Sequence, residues 1–93
     1  MKEWHFYVLS CRDDSFYCGI STDVDRRLVQ HNAKKAAKYT RSRVPVRLMY
    51  QRKVGTRSAA LKMEASFKKL TRAKKLERLV EFIDEDVFGD KCS

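Results

Sequence analysis

This sequence lacks a long apolar run, a secretion signal, a linker and any repeated or low-complexity segment. No stretch reaches the length of about 18 apolar residues that a membrane-spanning helix requires. The first residues, Met1-Lys2-Glu3-Trp4-His5, do not lead into the apolar core and cleavage site of a signal peptide. We therefore expect neither a transmembrane protein nor a secreted one.

Cysteine is scarce and poorly spaced for cross-linking or for metal binding. The three cysteines are an odd number, and none of them forms a Cys-x-x-Cys pair. This usage favours reduced thiols and a cytoplasmic location. A zinc site would have to recruit the scattered residues His5, His31 and Cys92, so we expect none.

Acidic residues are too few to balance the basic ones. The chain has 21 Lys and Arg against 12 Asp and Glu, which gives a formal net charge of +9. Such an excess predicts an anionic partner. Nucleic acid is the first expectation, and an anionic membrane surface is the second.

The length leaves no room for a separate specificity domain. With 93 residues, 43% hydrophobic and 35% charged, the chain is expected to be globular rather than disordered. We expect a single domain over residues 1–93, with a core over about residues 4–79 and a C-terminal helix and tail over about 80–93. The last five residues, 89–93, are expected to be a frayed end.

Two short strands and a helix are predicted at the start of the chain. Residues 6–11 and 16–20 are rich in aromatic and β-branched residues, and the polar link 12–15 between them favours a turn. Thr22 or Asp23 can cap a helix that runs to His31, and Asp25 suits its first turn. The pattern indicates a β-hairpin followed by a helix.

The two arginines of this helix are not equivalent. At about 100° per residue, Arg27 and His31 lie on the side of Val24 and Leu28, whereas Arg26 points the opposite way. Arg27 and His31 are spaced i and i+4, so both can reach one spot in front of the sheet. Arg26 is expected to be solvated.

The remainder of the chain alternates basic and apolar patterns. A basic loop is expected over residues 32–43, a third strand from about Val46 to Val54, and a helix after the cap Thr56. Thr71 is expected to cap a last helix. The predicted buried residues are Ala60, Met63, Phe67 and Leu70 on the helix after Thr56, and Leu76, Leu79, Val80 and Ile83 on the last helix. We expect a small α/β (α+β) domain, a three-stranded and mainly antiparallel sheet packed with helices.

The basic loop is the candidate surface for nucleic acid. Five cations surround one aromatic ring there, which suits a phosphate backbone with one base stacked on the ring. A solvated charged loop is the alternative interpretation. The candidate binding residues are Lys34, Lys35, Lys38, Tyr39, Arg41 and Arg43 of the loop, together with Lys68 of the later helix.

An ordered set of positions spans most of the chain: Tyr7, Tyr17-Cys18-Gly19, Arg27, His31 and Glu64. This set resembles the motifs of the GIY-YIG nucleases, over about residues 4–79. The small stand-alone members share a stretch like Ala36-Ala37-Lys38-Tyr39-Thr40-Arg41. Some positions depart from the family pattern: His5 replaces a glycine, Cys18 replaces an aliphatic residue, and Ile20 stands where a lysine often follows. Leu76 lies about three turns after Glu64, where the repair-nuclease branch carries a polar residue.

The resemblance implies a metal-dependent endonuclease that hydrolyses phosphodiester bonds, in DNA rather than RNA. Glu64 would hold Mg²⁺, with Mn²⁺ as the alternative ion, and Arg27 would contact the non-bridging phosphate oxygens. Tyr7 would activate the attacking water, while Tyr17 and His31 orient water and phosphate. A phenol with a pKa of about 10 is a poor base, so nearby cations would have to lower the Tyr7 pKa. Gly19 is the structural glycine of the second motif.

The resemblance also requires that the two tyrosines share a face of the sheet. A two-residue loop at Asp13-Asp14 would pair Tyr17 with Ser10 and place Tyr7 and Tyr17 on opposite faces. An odd-numbered loop or a bulge places them together. We therefore expect one of those two arrangements.

Several alternatives stay open from the sequence. Without the resemblance, Glu64 and Lys68 are simply an exposed i,i+4 ion pair. The protein can be a nucleic-acid-binding module with little or no cleavage, or an adaptor whose positive side docks an acidic protein. A homodimer or a partner protein would then supply targeting.

Overall fold

The structure, a computed structural model, describes residues 3–88, with side chains as far as Glu85. The predicted tail 89–93, with Cys92, lies outside the described residues. The sheet has the strand order β2-β1-β3 and both pairs are antiparallel, so the predicted fold class is confirmed. The elements are β1 (Trp4–Ser10), β2 (Phe16–Ser21), α1 (Val24–Asn32), α2 (Lys38–Arg41), β3 (Arg47–Gly55), α3 (Arg57–Lys68) and α4 (Arg72–Phe88).

The hairpin between β1 and β2 has an odd-numbered loop, as expected. Ser10 pairs with Phe16, and the Cys11 N–H donates to the Ser15 carbonyl at 2.9 Å. This leaves a three-residue loop, in which Asp14 adopts the left-handed conformation with φ 65°. Leu9 is paired with Tyr17, and Tyr7 with Gly19. Paired residues share a face of the sheet, as do Tyr7 and Leu9, which are two positions apart on β1. Tyr7 and Tyr17 therefore lie on the same face.

The central strand β1 separates two layers. Phe6 and Val8 point to one face, and Tyr7 and Leu9 point to the other, yet all four are at most 1% exposed. A strand covered on both faces does not show a clean polar alternation, which explains its continuous apolar pattern. One layer, which we name the apolar layer, contains Phe6, Val8, Phe16, Cys18, Tyr50, Phe67, Leu79 and Phe82. The other, the site layer, contains Tyr7, Leu9, Cys11, Val24 and Val46, with Tyr17, Leu28 and Leu48 packed against them.

Polar side chains cap three of the helices, as predicted. Asp23 accepts a hydrogen bond from the Arg26 N–H at 3.1 Å, and Thr56 accepts one from the Ala59 N–H at 3.2 Å. The Thr71 hydroxyl accepts from Lys74 N–H at 3.3 Å at the start of α4. These bonds satisfy backbone donors that a helix start leaves free, so local sequence determines where each helix begins.

The predicted apolar stripe of α4 is wrong for most of its members. Leu79 is buried, but Leu76, Val80 and Ile83 are about half exposed, and Phe82 takes the inner position instead. The Phe82 ring stacks on Tyr50 with centroids 5.3 Å apart, so the larger aromatic contact sets the rotation of α4. Among residues 3–88, no helix combines the length and apolar character needed to cross a membrane.

The basic segment predicted as a loop contains a helical turn. Residues 38–41 form α2, and Lys34 before it has φ 63°. Thr40 is 0% exposed within this turn. The chain therefore folds inward at a point where its charge pattern predicted a basic loop without helical structure.

Candidate active site

Tyr7 reaches the edge of the sheet by passing over Gly19. The two residues are paired across β1 and β2, and β2 is an edge strand. A Cβ atom built on Gly19 would lie 2.6 Å from the Tyr7 hydroxyl oxygen and 2.8 Å from Cζ. Any side chain at this position would collide with the phenol, so glycine is required for Tyr7 to hold this place.

His31 lies at the end of that phenol. It is 0% exposed on α1, and its Nε2 is 2.9 Å from the Tyr7 hydroxyl oxygen. The Tyr17 ring meets the imidazole edge-on, with centroids 5.2 Å apart. The Asp23 cap and the burial of Val24 fix the rotation of α1, so His31 is held against both tyrosines.

A buried threonine continues the same chain of hydrogen bonds. The Thr40 Oγ1 lies 2.8 Å from His31 Nδ1, and its hydroxyl donates to the Ala37 carbonyl at 3.1 Å. Sequence reasoning did not select Thr40. The only signal for it was its place inside the stretch shared with the small stand-alone nucleases.

Arg27 lies beside the tyrosine hydroxyls, whereas Arg26 is exposed, as the helical spacing predicted. The Arg27 Nη1 donates to Gln30 Oε1 at 3.0 Å, and the Arg27 charge works to lower the pKa of the Tyr7 hydroxyl. Both arginines line an open polar cleft that also contains Trp4. An anion entering this cleft would meet the Arg27 guanidinium.

Burial dominates the protonation of Tyr7 and His31. It raises the pKa of Tyr7 to about 12, with a further increase from Tyr17 and an opposing, smaller effect of Arg27. The expectation that nearby cations lower the pKa of Tyr7 is therefore wrong for the net shift, because desolvation of the phenolate exceeds the attraction of Arg27. Burial, and then the Arg27 charge, lower the pKa of His31 to about 4. At neutral pH the phenol is protonated and the imidazole is neutral.

Glu64 approaches the same edge from the opposite layer. Its side chain is 19% exposed, and its Oε1 lies 3.7 Å from Lys68 Nζ, which is the i,i+4 pair that the sequence allowed. The Cys18 thiol donates to the Glu64 backbone carbonyl at 3.8 Å, which ties α3 to β2. The Glu64 charge raises the pKa of both Tyr7 and Tyr17, so its carboxylate and the two phenols share one electrostatic environment.

Among the described residues, Glu64 stands as a single carboxylate rather than as part of a cluster of metal ligands. Within the described part of the chain, no three His, Cys, Asp or Glu side chains group together as metal ligands. Cys11 and Cys18 are buried free thiols, and burial raises the pKa of Cys18 to about 11, so neither supports a zinc site. One carboxylate is sufficient for Mg²⁺ when water and substrate phosphate complete its shell.

The basic segment is divided between exposed and engaged cations. Lys34, Lys35, Lys38 and Arg41 are exposed. Arg43 instead donates to Asp13 Oδ2 at 3.0 Å and to the Tyr39 carbonyl at 2.8 Å, and its guanidinium carbon lies 4.0 Å from the Tyr39 ring centroid. That ring also stacks on Tyr17, with centroids 5.8 Å apart. A base stacking on Tyr39 would compete with these contacts.

Comparisons with known proteins match most of the chain. The family model of the GIY-YIG catalytic domain matches residues 3–77. A UPF0213 protein of Listeria welshimeri is 51% identical over 80 residues, covering 86% of this chain and 89% of the relative. A UPF0213 protein of the archaeon Haloquadratum walsbyi is 46% identical over 85 residues, covering 90% of this chain and 96% of the relative.

Solved structures agree with these sequence matches. The solution NMR structure of a protein from Enterococcus faecalis has a TM-score of 0.62 and 49% identity, with 88% of each chain covered. That of a UPF0213 protein from Bacillus halodurans has a TM-score of 0.55 and 42% identity, covering 86% of this chain and 84% of the other. The chain therefore belongs to the GIY-YIG family, and residues 3–77 match its nuclease-like catalytic domain.

Proposed function

We propose that this protein is a divalent-metal-dependent endonuclease that hydrolyses phosphodiester bonds in nucleic acid, with DNA as the first substrate to test. The observation that carries the proposal is the convergence at the β2 edge. There Tyr7 contacts His31, the Arg27 guanidinium acts on the Tyr7 hydroxyl, and the Glu64 charge acts on both tyrosines. A phosphate-binding cation, a proton acceptor and a metal-binding carboxylate are the parts that such hydrolysis requires.

Glu64 is the residue that would hold the metal, Mg²⁺ or Mn²⁺. When bound, the ion would supply positive charge to the phosphate and to the leaving oxygen. Lys68, now 3.7 Å from the carboxylate, would then be free to contact a phosphate of the substrate. Lys68 would thus pair with Glu64 in the free protein and with a substrate phosphate in the complex.

Tyr7 would act as a proton carrier rather than as a preformed phenolate. With a pKa of about 12, the phenol is ionised in only about one molecule in 10⁵ at pH 7. Transfer of the water proton to Tyr7, coupled to transfer of the Tyr7 proton to His31 Nε2, avoids that costly ion. The neutral imidazole at 2.9 Å is placed to accept it. Tyr17, packed against His31, would help to orient the water.

Arg27 and the exposed lysines would bind the substrate in different ways. Arg27 borders the open cleft beside Tyr7, where it would stabilise charge that develops on the non-bridging oxygens. Lys34, Lys35, Lys38 and Arg41 are exposed and would contact the backbone further along the strand. Arg43 would join them only by leaving its contacts with Asp13 and Tyr39.

The test is a cleavage assay on branched, nicked and single-stranded DNA and RNA, with and without Mg²⁺. Glu64→Gln removes the ligand charge, and Arg27→Ala removes the phosphate contact, so each should lower the rate by about 10²- to 10³-fold. Arg47→Ala removes the same charge from an exposed position on β3, at the opposite edge of the sheet, and is the matched control. Circular dichroism checks that each variant folds.

The two variants should differ in binding. Glu64→Gln should bind nucleic acid as well as the parent or slightly better, since one negative charge near the phosphate is gone, whereas Arg27→Ala should bind more weakly. Cleavage by Glu64→Gln at the parental rate in equal Mg²⁺ would show that Glu64 is not the metal ligand.

A nucleic-acid-binding module with little or no cleavage is the second candidate. The exposed cations of residues 34–41 favour it, because they need neither metal nor Tyr7. Binding that survives chelation, with no cleavage of any substrate in the panel, would establish this function instead.

A further inference from the structure

Thr40 is a buried hydroxyl with two polar neighbours of different kinds. It is 0% exposed, and its Oγ1 lies between the Ala37 carbonyl oxygen at 3.1 Å and His31 Nδ1 at 2.8 Å. The Thr40 hydroxyl donates to that carbonyl, which also accepts from the Arg41 N–H at 3.2 Å. The oxygen of Thr40 is then left as an acceptor towards His31.

This arrangement determines the tautomer of His31. Since Thr40 accepts, Nδ1 must carry the ring proton, and Nε2 presents its lone pair to Tyr7. The phenol then donates its own proton to Nε2. Each polar atom in this chain has a complementary partner.

The opposite tautomer is disfavoured by the burial of Tyr7. A proton on Nε2 would point at the Tyr7 oxygen, so the phenol would have to turn its own proton away from His31. The phenol is 1% exposed, so its own proton would lose its acceptor inside the protein. A buried donor without an acceptor carries a desolvation penalty.

We propose that Thr40 is a positioning residue: it fixes the Nδ1–H tautomer of His31 and thereby makes His31 Nε2 the acceptor for the Tyr7 proton. The catalytic part rests on the proposed function, while the tautomer itself does not. No sequence signal assigned this role, and Thr40 touches neither substrate nor water in the proposed reaction.

The proton balance of the proposed step is complete. The water oxygen forms its bond to phosphorus as one water proton passes to the Tyr7 oxygen and the Tyr7 proton passes to His31 Nε2. The phosphorus–oxygen ester bond breaks, and the leaving oxygen takes a proton from solvent. The resulting imidazolium still donates from Nδ1 to Thr40, and it later returns its extra proton to solvent through Tyr7. Thr40 therefore keeps one hydrogen-bond direction throughout.

The decisive measurement is the pair of imidazole ¹⁵N chemical shifts of His31 at neutral pH, without metal or substrate. The parent and Thr40→Ser, which keeps the hydroxyl, should show a protonated Nδ1 and an unprotonated Nε2. Thr40→Val keeps a similar shape but cannot accept, so its Nδ1–H population should fall. Ser42→Ala, at the exposed end of α2, is the control and should match the parent.

Two outcomes would overturn the inference. One is an Nε2–H tautomer in the parent, which decides the matter even if Thr40→Val does not fold. The other is an unchanged Nδ1–H tautomer in folded Thr40→Val.

Kinetics separate this inference from the proposed function. In a cleaving parent, Thr40→Val should lower kcat by about 10- to 100-fold with little change in KM, and Thr40→Ser should restore it. A parent that cleaves nothing but shows the tautomer change refutes the nuclease proposal and leaves the tautomer assignment intact. A cleaving Thr40→Val with parental kcat and tautomer refutes the role of Thr40 and leaves the nuclease proposal intact.

Discussion

Phe6 and Tyr7 are consecutive on β1, almost equally buried, and surrounded by different kinds of neighbour. Phe6 meets Phe67 and Phe82 edge-on in the apolar layer, with centroids 5.6 and 6.2 Å apart. Tyr7, in the site layer, hydrogen-bonds to His31. A strand places successive side chains on opposite faces, so a one-residue step separates a packing contact from a polar network.

The difference shows what burial does in each layer. Around Phe6 it removes apolar surface from water and stabilises the fold. Around Tyr7 and His31 it disfavours the ionised forms and moves their pKa values to about 12 and about 4. Burial in the site layer therefore changes the proton affinity of Tyr7 and His31. It also requires a hydrogen-bond partner for each buried polar group, and this chain of partners runs from Tyr7 through His31 and Thr40 to the Ala37 carbonyl.

The largest expected effect is on stability and comes from the apolar layer. Phe67→Ala should lower the free energy of unfolding by about 3–5 kcal/mol, since it leaves a cavity beside Phe6 in a closely packed core. Urea denaturation followed by circular dichroism measures it. Met49→Ala, at an exposed position of β3, is the control and should change stability by at most about 0.5 kcal/mol. A decrease below about 1 kcal/mol for Phe67→Ala would show that the apolar layer tolerates this cavity unusually well.

The next effect is the acid sensitivity of the site layer. Well above pH 6.5, His31 is neutral in both folded and unfolded chains, so its contribution to stability is complete. As pH falls from 6.5 to about 4, the unfolded chain binds a proton that the folded site resists, and stability should drop by about 3 kcal/mol. Denaturation curves across this range measure the slope.

His31→Gln is the control for that slope. It removes the titrating ring, so its stability should fall less steeply between pH 6.5 and 4 than that of the parent, whatever its stability at neutral pH. Equal slopes for parent and variant would mean that carboxyl groups, not His31, cause the acid destabilisation.

The smallest effect concerns the exposed cations that border the site layer. Replacing Lys35, Lys38 and Arg41 by Ala should flatten a plot of log K against log salt concentration. On duplex DNA, the slope should change by about 0.9 for each phosphate that the variant no longer neutralises. Arg47→Ala with Lys53→Ala, on the strand at the opposite edge of the sheet, tests removal of charge elsewhere. An unchanged slope for the triple variant would exclude residues 34–41 as the binding surface.

Local chemistry made much of the fold predictable. The caps Asp23, Thr56 and Thr71 form bonds within three residues along the chain, so they can be read from sequence alone. The same holds for Arg27 and His31, because the pitch of a helix fixes their relation. The shared face of the tyrosines was inferred from the family resemblance and is confirmed by the register.

The inner side of α4 was not predictable in this way. Apolar residues cover a wide arc of α4, so two different sides of the helix could face the core. One side carries Leu76, Leu79, Val80 and Ile83, and the other carries Leu79 and Phe82. Only packing against Phe6 and Tyr50 selects the side that carries Phe82.

By itself, the sequence determined the strands, the starts of α1, α3 and α4, and the relation of Arg27 to His31, since these depend on neighbours a few positions away. Tertiary structure decided how those residues ionise and which of them work together. The pKa values of Tyr7 and His31 follow from burial that no local pattern contains. Thr40 contacts His31 because the chain turns back through residues 33–37 and buries the Thr40 hydroxyl. This burial is a consequence of tertiary packing, and the basic residues around Thr40 in the sequence do not reveal it.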